Sequence, residues 1–225
     1  VNGIRLLVGR EYRRYDDRVV ADSQFIERFC RQVETRSDEL ERALPLLIEH
    51  EMWILAGSVL RMQVESLARA VFLLNDPVAT RELRVERSFS PGLDGRFPEL
   101  PPRRGIVQDT AMVRLADEMV PGLKHSATSM YIVGCKLVHL SAAHEYHERD
   151  PYQALSIEQR HQFILDPLAA VWGSTCGLSD DSTFVEVMTV ASPRAFRKLG
   201  ELLRACVKRL RDGESLDPSI TYASE

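Results

Sequence analysis

The stretch from Leu46 to Leu74, LLIEHEMWILAGSVLRMQVESLARAVFLL, decides the fold. It holds no proline and almost no wholly polar face, so at the helical period it is apolar nearly all round. A helix of that kind is buried on most sides, as the central rod of a bundle is. Its polar residues are nevertheless ordered: Glu51, Ser58, Arg61, Glu65 and Arg69 fall within about 80° of one another on a helical projection. Arg61 and Glu65 stand four apart, as do Glu65 and Arg69, so Glu65 can bridge two arginines. This narrow stripe is either the solvent edge of the rod or a partly buried network that packs toward another polar face.

Toward the N-terminus, residues 1–21 have many charges and no sustained period and read as an arm. After Asp22 or Ser23, either a fair N-cap, the apolar positions Phe25, Ile26, Phe29, Cys30, Val33, Leu40 and Leu44 fall at helical spacing. They predict a first amphipathic helix ending near Pro45. Beyond the rod, the segment from Asp76 to Ser90 fits a short charged helix. A long proline-rich loop follows over about residues 89–104, a flexible excursion or a working loop. Val107, Ala111, Met112, Leu115, Ala116 and Met119 recover the helical period until Pro121 and Gly122 stop it.

The next helix is expected from Leu123 or Ser126 to Tyr146 and carries MYIVGCKLVHLSAAHEYHE, residues 130–148. Ser156 and Gln159 have capping-box spacing and predict a short helix that breaks before Pro167. TFVEVMTV, residues 183–190, fits a strand by its β-branched residues and a helix by its surroundings. Ser192 and Pro193 read as the N-cap and first residue of a last helix, with Phe196, Leu199, Leu202, Leu203, Cys206, Val207 and Leu210 on one face and a stop at Gly213. Residues 214–225 are a tail. The sum is an all-α, single-domain helical bundle over residues 22–213.

Composition excludes several classes. A chain of 225 residues with 44% hydrophobic and 28% charged residues is ordinary globular material, long enough to bury a core. A net charge of −4 argues against non-specific coating of nucleic acid or acidic membrane, though not against a local basic face. Cys30, Cys135, Cys176 and Cys206 have neither disulfide-framework nor zinc spacing, and read as small hydrophobes of a reducing compartment. With no membrane-length apolar run and no signal pattern, the expected location is the cytoplasm. The start at Val1 without methionine predicts a trimmed chain or a piece of something larger. Only four of the 29 basic residues are lysine, so 29 − 4 leaves 25 arginines, a bias that gives single arginines little weight.

Four places carry candidate chemistry. Lys136 and His139 lie about 60° apart on one helix face, where a lysine disfavours the imidazolium and leaves a neutral imidazole beside a fixed cation. That arrangement suits a phosphate contact or proton transfer, and Arg61 with Glu65 would face it as orienting partners. Read structurally, the same residues are a core-bonded histidine and a snorkelling lysine. His139 and His144 point about 140° apart and cannot share an ion, whereas His144, His147 and Glu148 share a face that is either a ligand set or a solvated helix end. Over residues 193–211, Arg194, Arg197, Arg204, Lys208 and Arg211 form a row within about 100°, interrupted by Glu201, that could meet RNA phosphates, an acidic protein partner or only water. There is no P-loop, dinucleotide fingerprint, HExxH or GxSxG, and no cofactor is expected.

RMQVESLARAVFLL, from Arg61 to Leu74, resembles the R-x-x-x-E helix of bacterial HEPN-like proteins, and YIVGCKLVHLSAA, from Tyr131 to Ala143, resembles their "VH-S" helix. The resemblance spans about half the chain. It implies an all-α, homodimeric bundle of a stress or phage-defence setting that touches RNA or a nucleotide. In the active branch it also implies metal-independent RNA cleavage by an arginine and a histidine with four to six residues between them. No histidine of this chain has an arginine five to seven positions before it. Arg61, Glu65 and His139 are the expected site by similarity, with Lys136 beside His139 as the phosphate contact. The alternative is a non-catalytic interaction or dimerisation module.

Overall fold

The structure, a computed structural model, describes residues 24–123, 126–139 and 148–216. Helix α1 spans Gln24–Glu49, α2 Trp53–Asn75, α3 Val78–Ser88, α4 Asp109–Met119 and α5 Ser126–Val138. After these come α6 (Ile157–Arg160), a π-helical turn (His161–Leu165), α7 (Asp166–Trp172) and α8 (Phe184–Arg211). The fold is all-α, and no helix of the described residues is long and apolar enough to cross a membrane. Asp22 and Ser23 lie outside the described residues.

Helix α2 is the central rod and packs against α1, α4, α5 and α8. Two apolar clusters lie along it. One gathers Phe29, Cys30, Leu67, Val71, Met112, Leu199 and Leu203. The second, toward the other end, gathers Leu44, Trp53, Val59, Leu137, Tyr152, Leu168 and Phe184.

Several boundaries differ from expectation, at both ends of the chain because packing outweighs a local signal. Helix α1 does not end at Pro45 but runs through it to Glu49. The proline is exposed, and Leu44, Leu47 and Ile48 around it pack in the second cluster, which offsets a cost of about 3 kcal/mol. The predicted rod is correspondingly cut: Leu46–Glu49 belong to α1, and a corner at His50–Met52 intervenes, with Glu51 in the left-handed region at φ 55°. Glu51 is thus not part of the polar stripe.

Ser192 and Pro193 likewise lie inside α8 rather than at its start. The true N-cap is Thr183, whose hydroxyl accepts from the Glu186 backbone N–H while the Glu186 carboxylate accepts from the Thr183 N–H. Asp150 adds a cap from a distance, accepting the Phe184 N–H at 2.8 Å. TFVEVMTV is helical because Phe184, Val187 and Met188 continue the buried face that Phe196 and Leu199 carry further on. The Ser156–Gln159 capping box forms as expected, but the helix does not break before Pro167. It loosens into the π-helical turn and re-forms as α7, with the proline at its N-terminus, where its missing N–H costs nothing.

Residues 89–108 hold turns and one antiparallel bridge, Pro98 with Ile106. Phe97 inserts this segment into the core, its ring 5.9 Å from that of Phe29 and 6.0 Å from that of Phe72. Arg69 holds the same segment by donating to Gly95 O at 2.9 Å, and Arg84 by donating to Pro98 O. At the far end Arg81, only 2% exposed, donates to the carbonyls of Asp76, Leu74 and Glu214 and to the Ser215 hydroxyl. It fastens the residues after α8 to the end of α2, where Leu216 N–H also donates to Leu74 O.

Candidate functional site

Helix α5 is set in place from both ends of its contact with α2. Asp117 of α4 caps it, accepting the Ala127 and Thr128 N–H groups at 3.0 and 2.8 Å. Two glycines then let the helices close. Leu137 occupies the space over Gly57, and the Arg61 side chain occupies the space over Gly134.

This approach builds a polar cluster. Arg61 pairs with Glu65 at 2.8 Å, and Arg36 of α1 reaches the other Glu65 oxygen at 3.4 Å. The Arg61 guanidinium lies 5.3 Å from the centroid of the Tyr131 ring. Burial opposes its charge, but Tyr131 and the Glu65 carboxylate outweigh burial and hold its pKa above the ordinary arginine value. Burial raises the Tyr131 phenol, against the pull of Arg61. Glu65 therefore does bridge two arginines, but the second is Arg36, not Arg69. Arg69 turns instead to Gly95 and to Asp109, 3.5 Å away.

Lys136 and His139 sit elsewhere. Both are exposed, and α5 ends at Val138, leaving His139 in a bend. Lys136 is about 200° round α5 from Gly134, the residue against Arg61. His139 is eight residues beyond Tyr131, about 12 Å along the helix axis. The helix expected to reach Tyr146 thus stops short. Residues 140–147, with His144 and His147, lie outside the described residues. The structure brings Arg61 and Glu65 together and sets Lys136 and His139 on other faces.

The basic row of α8 is outward: Arg194, Arg197, Arg204 and Lys208 are exposed. Arg211 is spent within the fold, clamped by Glu27 and Glu34 of α1 at 2.7–3.2 Å. The two carboxylates raise its pKa, and its guanidinium lowers that of Glu27.

Sequence reasoning missed an apolar cavity of about 140 Å³ between α2, α5, the α6–α7 segment and the first half of α8. Among the described residues its lining includes Met130, Phe163, Trp172, Phe184 and Met188, with Lys136 as the charged member. Each contributing helix reads singly as ordinary amphipathic sequence, and only their convergence makes the cavity. Comparison with protein-family models, curated proteins and solved structures returned no match to this chain.

Proposed function

We propose that this chain is a HEPN-like helical bundle of the stress or defence type that binds RNA without cleaving it, through the exposed face of α8. The observation that carries the reading is the row of Arg194, Arg197, Arg204 and Lys208, all outward, on one helix. From Arg194 to Lys208 the row extends about 21 Å, long enough to meet several phosphates of a single strand. Its local charge outweighs the net −4 of the chain because phosphate contact depends on the near field.

Two further features support the parts of this reading. Helix α2, which carries the R-x-x-x-E stretch, packs against α5, which carries the first part of the "VH-S" stretch, residues 131–138. His139 is exposed and lies just past the end of α5, which supports binding over acid-base catalysis. Leu46, Met52 and Leu55 are exposed at the α1–α2 corner and give a dimer an apolar surface to cover.

The test is fluorescence anisotropy of a labelled single-stranded RNA with the full chain and with a triple variant, Arg194→Gln, Arg197→Gln, Lys208→Gln. All three side chains are exposed, so the variant keeps the fold. The reading predicts saturable binding that the triple variant loses and intact RNA after incubation. Equal binding by both proteins refutes the α8 assignment, and RNA cleavage that His139→Ala abolishes refutes the non-catalytic one.

A further inference from the structure

The apolar cavity uses none of the residues assigned to RNA contact, and its chemistry points to a different kind of ligand. Its volume, about 140 Å³, is close to that of an engineered apolar cavity of about 150 Å³ that holds one benzene. Among the described residues, Met130, Phe163, Trp172 and Met188 give it aromatic and thioether walls, a surface that matches a single ring. Lys136, which also lines it, already interacts with another group of the protein and takes no part in the recognition argued below.

Ser192 of α8 adds a polar group to the wall. It is 2% exposed, and its hydroxyl donates to the weak acceptor Met188 Sδ at 3.5 Å. The hydroxyl oxygen keeps lone pairs that can accept from a second donor. A ring bearing one O–H uses both features. Burial of the ring supplies affinity, and Ser192 replaces the hydrogen bond to water that the O–H gives up on entry. An ionised substituent would instead lose its hydration to an apolar surrounding, so the neutral form is selected.

We infer that the cavity is a binding site for a neutral phenol, with the ring against the aromatic and thioether side chains and the phenol O–H donating to Ser192 Oγ.

Titration calorimetry of the full chain with phenol at neutral pH tests this, with toluene and benzoate as comparison ligands. One-to-one saturable binding of phenol is expected. Ser192→Ala should weaken phenol about tenfold and leave toluene unchanged, because it removes the hydrogen-bond partner and almost no volume. Ala191→Leu and Ala191→Phe fill the cavity from α8 and should weaken phenol and toluene alike, in that order. Thermal melts establish which variants are folded. Absence of saturation at millimolar phenol overturns the inference, as does unchanged phenol affinity in a folded cavity-filling variant. A Ser192→Ala effect that is missing for phenol, or equal for toluene, overturns the hydroxyl contact. Benzoate binding as tightly as phenol overturns the neutral class.

Discussion

Gly134 of α5 lies against Arg61 of α2 so closely that a Cβ on the glycine would stand 2.6 Å from the Arg61 Cβ. The clash is with an atom fixed to the α2 backbone, so it cannot be relieved by a rotamer change. Gly134→Ala gains about 1 kcal/mol in helix propensity but overpacks a helix crossing. The expected net result is a loss of about 1–3 kcal/mol in chemical denaturation. Gly57→Ala meets Leu137 Cδ1, the far end of a side chain, so pairing it with Leu137→Ala restores part of its loss.

Arg81 is a structural cation that no periodicity reveals. It is 2% exposed and meets three carbonyls and a hydroxyl. Burial lowers its pKa, opposed by Asp76. Arg81→Met takes its donor from the Asp76 and Glu214 carbonyls and leaves Leu74 O with Leu216 N–H, at a cost of about 3 kcal/mol. Proteolysis near residues 214–216 should accelerate in the variant, because the strap it holds is released.

Gln63 offers the opposite case. It is fully buried, its amide donates to Ser37 Oγ at 2.8 Å, and its Oε1 has no partner among the described residues. Replacing both groups by apolar ones removes a half-satisfied pair from the core. Gln63→Leu with Ser37→Ala is expected to melt at or above the wild-type temperature, whereas Ser37→Ala alone melts below it.

His161 bonds Asp166 Oδ1 at 3.0 Å and lies 3.5 Å from Asp180 Oδ2. The Asp166 hydrogen bond, with Asp180 adding to it, raises its pKa above the ordinary 6.5. Arg160, the neighbouring cation, is turned to the carbonyls of Tyr152, Gln153 and Asp180. A raised folded-state pKa means that the stabilisation is complete below pH 6.5 and is lost as pH rises through the higher folded value. Melting temperature should fall across that window in wild type and be flatter in His161→Gln.

The thiols divide by environment. Burial pushes Cys30 and Cys206 up to about 12, so neither is nucleophilic near neutrality. Cys135 and Cys176 are partly exposed. A disulfide reagent should modify Cys135 and Cys176 in the native protein and reach Cys30 and Cys206 only on unfolding.

The sequence carries the bundle plainly where a helix has one apolar face, as α4 does between its Gln108 and Val120 ends and α8 does from Phe196 to Leu210. It misleads at Pro45 and Pro193, where a proline is a stop or a start by local rule and a tolerated interior residue by tertiary packing. The corner at Glu51 has no glycine or proline to announce it. The Arg61–Glu65 pair was legible from its spacing, because neighbours on one helix are fixed by the period. Arg36 as the second partner was not, since it comes from another helix. The position of His139 depended on where α5 ends, and apolar sequence continues past Val138. The buried Arg81 and the cavity arise from contacts between segments distant in the chain, which no single window contains.

The salt dependence of RNA binding tests the central claim most directly. Contacts from Arg194, Arg197, Arg204 and Lys208 to a single strand predict that log K falls with log salt concentration at a slope of about −2.8, and that each glutamine substitution brings the slope about 0.7 closer to zero. A slope near zero, or one unchanged when these four side chains are neutralised, contradicts the account.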